Sequence, residues 1–178
     1  MVSQLPLSQP TPTSFPYAVE GLVQVFTSVH RSFFTGVMAQ ALTLAGQGTP
    51  VLVVQFLKGG INMGPDQPVR LGQNLDWLRC NLSRCLDAAD DITPEERQAT
   101  QELWQYTCDV IKQEHYRFFV LDELSLAIQL GLIPEEEVVG LLEQRPRSLD
   151  IILTGPDMPG SILNLADQVT QLRRNSLA

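Results

Sequence analysis

A three-layer α/β domain, with a mainly parallel sheet and helices on both faces, is the fold class this sequence predicts. Three observations carry it. Short runs rich in Val, Ile, Leu and Phe recur along the chain, separated by segments with apolar residues at helical spacing. The run VLVVQFL (Val51–Leu57) is continuously apolar, the mark of a strand covered on both sides in a parallel sheet. Between two such runs, Thr93-Pro94-Glu95-Glu96 reads as a capping box that opens a long helix.

In chain order, GLVQVF (Gly21–Phe26) predicts the first buried strand. Ser32 to Ala45 predicts a helix, ending near Gly46 and Gly48, which suit its C-terminal cap. VLVVQFL is the second strand, and KGGINMGPDQP (Lys58–Pro68) is a loop by its Gly and Pro content. The capped helix runs to about Gln113, with Leu103, Tyr106, Val110 and Ile111 on its inner side. RFFVLDE (Arg117–Glu123) is the third strand and ends in two acids. PEEEVVGLLEQ (Pro134–Gln144) is a helix whose early glutamates complement its positive end. LDIILTG (Leu149–Gly155) is the fourth strand, SILNLAD (Ser161–Asp167) a short helix, and QVTQLR (Gln168–Arg173) a fifth strand. Ligands in such sheets sit beyond the carboxyl ends of the strands. That gathers Thr27–Phe34, Gln55–Gly60, Asp122–Glu123 and Thr154–Asp157 around one crevice.

A length of 178 residues bounds the chain to about one domain. Residues 1–18 carry prolines among Ser, Thr and Gln and predict a disordered Pro-rich tail. The folded domain is expected over residues 19–173, with residues 174–178 as a short C-terminal tail. Net charge is −8, which argues against a nonspecific nucleic-acid binder and against docking on an anionic membrane. The longest apolar run is too short to span a bilayer, so no membrane insertion is expected. Cys80, Cys85 and Cys108 show no C-x-x-C spacing and form neither a disulfide framework nor a metal-ligand pattern with His30 or His115. A reducing cytoplasm is the expected location.

The segments LTLAGQGTPVLVVQFLKG (Leu42–Gly59), FVLDELSLAIQLGLIPEEEVVGLLEQRP (Phe119–Pro146) and IILTGPDMPGSILNLADQVTQLR (Ile151–Arg173) resemble, in this order, the P-loop-fold ATP:corrinoid adenosyltransferases. GQNLDW (Gly72–Trp77) is a weaker echo of a glycine-rich, aromatic segment of that family. The resemblance implies a P-loop NTPase-like (RecA-like) sheet, with ATP held between the first strand and first helix. Counting back from VVQFLKG without a gap lays the family's phosphate loop on Ser28 to Thr35. Its glycines fall on Ser28 and Ser32, its lysine on Phe33 and its magnesium-binding hydroxyl on Phe34, so that only Thr35 matches. Glycines let backbone amides wrap a triphosphate, and the lysine offsets its charge. Each charge-assisted hydrogen bond lost there is worth about 1.5–3 kcal/mol.

Under a retained nucleotide site, the residues implied are Ser28, His30, Arg31, Ser32, Thr35, Lys58 and Thr154, with Asp122 and Glu123 as holders of magnesium. His30 and Arg31 are the cations nearest the loop. Two other readings stand beside this one. Asp122 and Glu123 serve as caps for the next helix, and Lys58 is a solvated loop lysine. Phe33 and Phe34 either pack beneath the loop or offer a partner patch. Pro156 replaces the basic residue that the family places after Thr154-Gly155. The reading reached is a catalytically degenerate relative that binds, regulates or assembles with a protein partner. Its alternative is an active ATP:cob(I)alamin adenosyltransferase with an atypical loop, for which ATP and magnesium are implied. A third is a crevice re-formed around a less charged ligand. The resemblance also implies a homodimer.

Overall fold

The computed structural model describes residues 20–60 and 63–173. The predicted tails, 1–18 and 174–178, lie outside the described residues.

Seven strands form one sheet: β1 (Val23–Ser28), β2 (Val51–Gly59), β3 (Val69–Arg70), β4 (Leu75–Cys80), β5 (Phe118–Asp122), β6 (Asp150–Pro156) and β7 (Gln168–Leu172). Their spatial order is β3-β4-β2-β5-β6-β1-β7, and every neighbouring pair is parallel except β3 with β4. Five helices connect them: α1 (Thr35–Gly46), α2 (Pro94–Lys112), α3 (Leu124–Gln129), α4 (Glu135–Gln144) and α5 (Gly160–Leu163). The predicted α/β class, with a mostly parallel sheet and helices on both faces, is the observed one.

Strand alternation sorts the core into two layers. Val51 and Val53 of β2, with Phe118 and Val120 of β5, pack under Val37, Met38 and Ala41 of α1. Their neighbours Leu52, Val54, Phe119 and Leu121 face the opposite way, toward Leu103 and Trp104 of α2 and Val138 of α4. This explains why VLVVQFL has no polar alternation: both faces are covered. Trp104 packs edge-on against Phe56 with centroids 6.0 Å apart. The capping box at α2 is present, with Thr93 Oγ1 accepting from the Glu96 amide at 3.2 Å and Glu96 accepting from the Thr93 amide at 3.0 Å.

Several boundaries differ from expectation. β3 and β4 were not predicted, because LDWLRC alternates apolar residues with Asp76 and Arg79 and lacks a continuous run. α3 was not predicted either. β2 continues through Lys58 and Gly59, so Lys58 belongs to a strand rather than to the loop. α1 starts at Thr35 rather than Ser32, since Phe34 has φ −90 and ψ 80 and the Ser32 hydroxyl bonds back to the His30 carbonyl. On α2, Trp104 and Thr107 take the buried places and Tyr106 is only partly buried. The helix expected over Ser161–Asp167 is a single turn.

Candidate functional site

The crevice lies at the carboxyl ends of β1, β2, β5 and β6, and its centre is the acidic pair that ends β5. Asp122 is 1% exposed and Glu123 4%. Asp122 Oδ2 accepts from Gln55 Nε2 at 2.7 Å and from Lys58 Nζ at 2.8 Å, and Oδ1 accepts from Thr154 Oγ1 at 2.8 Å. Thr154 is itself buried and accepts from the Glu123 amide at 2.9 Å, locking β6 to the turn after β5. Glu123 takes a left-handed conformation, φ 59, and turns its carboxylate across the crevice to Arg31. Arg31 grips it with two nitrogens, the Nη2–Oε2 contact being 2.8 Å, and donates a third bond to the Leu86 carbonyl at 3.1 Å. The hydrogen bond to Glu123 raises the already high guanidinium pKa.

These contacts correct two expectations. Neither acid caps α3: Glu123 makes no side-chain cap bond, and Asp122 is committed to β2 and β6. Lys58 is not a solvated loop residue, since its ammonium pairs with Asp122 and sits 4.8 Å from the centre of the Phe33 ring.

The loop side has a different character. Ser28 and Ser32 both direct their hydroxyls to the His30 carbonyl, tying the turn to its own backbone. Phe34 is 8% exposed and meets Phe26 edge-on at 6.1 Å, inside the α1 layer. Phe33 is 54% exposed and faces Lys58. The two rings therefore divide the two roles open to them. One packs beneath the loop and the other forms surface. His30 and Thr35 are exposed at the rim. The structure thus brings Arg31, Lys58, Thr154, Asp122 and Glu123 into one network and leaves His30 and Thr35 outside it.

Gln55 was placed at the crevice by sequence reasoning but given no role there. It is 1% exposed; its amide donates to Asp122 while its carbonyl accepts from Trp77 Nε1 at 2.9 Å and Arg79 Nε at 2.8 Å. A lone glutamine inside a continuous apolar strand was the available signal, because a buried amide demands partners. Gly155 fixes the β6 side: at φ 141, a side-chain carbon there would lie 2.1 Å from Ser125 Oγ.

Residues 19–176 match the family described as ATP:corrinoid adenosyltransferase BtuR/CobO/CobP. The chain belongs to that family. Curated relatives agree with the match. The corrinoid adenosyltransferase of Escherichia coli K12 is 29% identical over 153 residues, covering 86% of this chain and 76% of the relative. Corrinoid adenosyltransferase CobA of Salmonella typhimurium is 29% identical over 161 residues, with the same coverage of each chain. An uncharacterized protein of Nostoc sp. is 29% identical over 170 residues, covering 83% of this chain and 43% of its own length. Membership in the adenosyltransferase family accords with the mostly parallel, P-loop NTPase-like sheet.

Proposed function

We propose that this family member does not use its phosphate loop for catalysis and acts as a cytoplasmic binding, regulatory or assembly protein. One observation carries the reading: the two cations that contact the acidic pair are already neutralised by it. Arg31 is held by Glu123 and Lys58 by Asp122, while a phenyl ring fills the position under the turn. A triphosphate entering here would have to break both pairs and leave Asp122 and Glu123 facing its own negative charge. Magnesium at the acidic pair would have to compete with the side-chain hydrogen bonds that both oxygens of each carboxylate accept. Three cysteines without a disulfide accord with a reducing compartment. Calorimetric titration with ATP and magnesium, at roughly millimolar ATP, is expected to give no saturable heat. A micromolar, magnesium-dependent site ends this reading.

A second reading is favoured by the relatives, several of which bear the name corrinoid adenosyltransferase. In it, the reduced corrinoid's cobalt attacks the 5′ carbon of ATP and the C5′–O bond breaks with triphosphate leaving, once Arg31 and Lys58 have moved from the acids to phosphate. Anaerobic incubation with ATP and cob(I)alamin would then give an adenosylated product, and Asp122→Asn would lower the yield. No product at high protein concentration removes it.

A further inference from the structure

The outward face of α4 combines two acids with a glycine that no contact inside the chain requires. Val138, Leu141 and Leu142 turn inward, so that Glu136, Val139, Gly140 and Glu143, spaced i, i+3, i+4 and i+7, share the opposite side. Glycine weakens a helix interior relative to alanine. At Gly140 an added Cβ would meet nothing within 4 Å, and φ is not positive, so neither crowding nor a left-handed backbone accounts for the residue. An outward helical glycine does serve one purpose: it lets a second backbone come close. The surface around it is concave. A hollow of about 450 Å³ is lined by Glu136, Val139, Gly140 and Glu143. A second, of about 490 Å³, shares Gly140 and enters between α4 and α2 beside Ile111 and Leu141.

The acids choose the occupant. Glu135 accepts from the Ser161 hydroxyl and Glu137 from the Trp104 indole at 2.7 Å. No ion pair among the described residues includes Glu136 or Glu143. These two stand two turns apart, about 10.5 Å along the axis, on either side of Val139 and Gly140. A second copy of the face would set glutamate against glutamate, and an anionic membrane would be repelled. Residues 1–19 of the chain hold no Lys, Arg or His to meet them. A helix with basic residues at matching spacing satisfies both acids and lays small or apolar side chains across the glycine.

We propose that this face of α4 docks a basic amphipathic helix of a partner protein. Its Lys or Arg residues, seven positions apart, reach Glu136 and Glu143, and its small or apolar residues pack on Val139 and Gly140. The face lies on the outside of the helical layer, so the contact stands whether or not the crevice takes ATP. One helix on one helix face buries less than a standard interface, which sets the affinity at roughly 10–100 µM.

The probe is a fluorescein-labelled, alanine-rich peptide of about 18 residues, with Lys seven positions apart on either side of Leu and Ala. Fluorescence anisotropy against the full chain should give a saturable curve, and the same peptide with Glu in place of Lys should give none. Gly140→Leu keeps every charge but fills the approach. It should weaken binding about tenfold or more, with an unchanged circular dichroism spectrum and a melting temperature no lower. Glu136→Gln/Glu143→Gln should abolish binding, whereas Asp66→Asn/Asp87→Asn, which removes the same charge from exposed loops, should keep the wild-type curve. No saturable binding, equal binding by Gly140→Leu, or an equal loss in Asp66→Asn/Asp87→Asn overturns the proposal. Native mass spectrometry showing that the peptide binds only by dissociating a dimer would give the face to a second copy, and overturns it too. If Gly140→Leu loses its fold, the two neutralised pairs decide.

Discussion

The two walls of the crevice are built on different principles. The wall from β2, β5 and β6 is a polar network, in which Gln55, Lys58, Asp122 and Thr154 satisfy one another below the surface. The wall from the β1–α1 turn is apolar and self-bonded, with Phe34 in the core and two serine hydroxyls on its own carbonyl. Arg31 is the bridge between them. The difference teaches that two walls of one site can be held by different forces, one by hydrogen bonds and ion pairs and the other by packing. Removing either partner of a buried ion pair is costly, whatever the site binds.

Breaking the polar wall should have the largest effect. Asp122→Ala strands the Lys58 ammonium, the Gln55 amide and the Thr154 hydroxyl, and should lower unfolding free energy by about 3–5 kcal/mol in urea titrations. A loss under about 1 kcal/mol would mean that water replaces the carboxylate and that the wall is not a closed network.

The apolar wall is probed by its adjacent rings. Phe34→Ala opens a cavity against Phe26, Val37 and Met38 and should cost about 3 kcal/mol, near the lower end of such truncations because the site borders a turn. Phe33→Ala, at an exposed site, should stay within about 0.5 kcal/mol. Equal losses from the two would contradict the division of roles between them.

A smaller effect than that of Asp122 or Phe34 compares the crevice acids with a paired acid on β4, next to the edge strand. Asp76 is 6% exposed and bonded to Arg70 Nε at 3.0 Å and to the Tyr116 hydroxyl at 2.7 Å. Burial pushes its carboxyl pKa up, but these two bonds outweigh burial and leave it below the usual carboxylate value. Because the folded pKa is depressed, its stabilising contribution is complete above the ordinary carboxylate range and is lost as pH falls through the folded pKa. Tyr116→Phe removes one of the bonds, raises that pKa and should start acid unfolding at a higher pH. The neutral-pH loss should be about 1 kcal/mol. An acid transition at the same pH as wild type would show that Arg70 alone holds the carboxylate.

Much of the fold was legible because it depends on local pattern. VLVVQFL reads as a doubly covered strand, and Thr93 to Glu96 reads as a helix start, since both signals are written in adjacent residues. β4 was not legible: its alternation places Asp76 and Arg79 among apolar residues, and only pairing beside β2 makes it a strand. The same limit applied to the site. Asp122, Glu123, Lys58 and Arg31 were marked as neighbours of one crevice, but which acid would take which cation was not written in their spacing.

The amino-acid sequence by itself determined the alternation of strands and helices, the gathering of the acidic pair with Lys58 and Arg31 at the strands' carboxyl ends and the side chains that Ser28 and Ser32 place in the turn. Those properties follow from side-chain period and backbone freedom, which act over a few residues. Tertiary structure alone decided that Phe34 turns inward while Phe33 covers Lys58, and that Glu123 reaches Arg31 rather than capping α3. Each of those outcomes depends on a partner far along the chain, and contact across such separations is fixed only when the layers close.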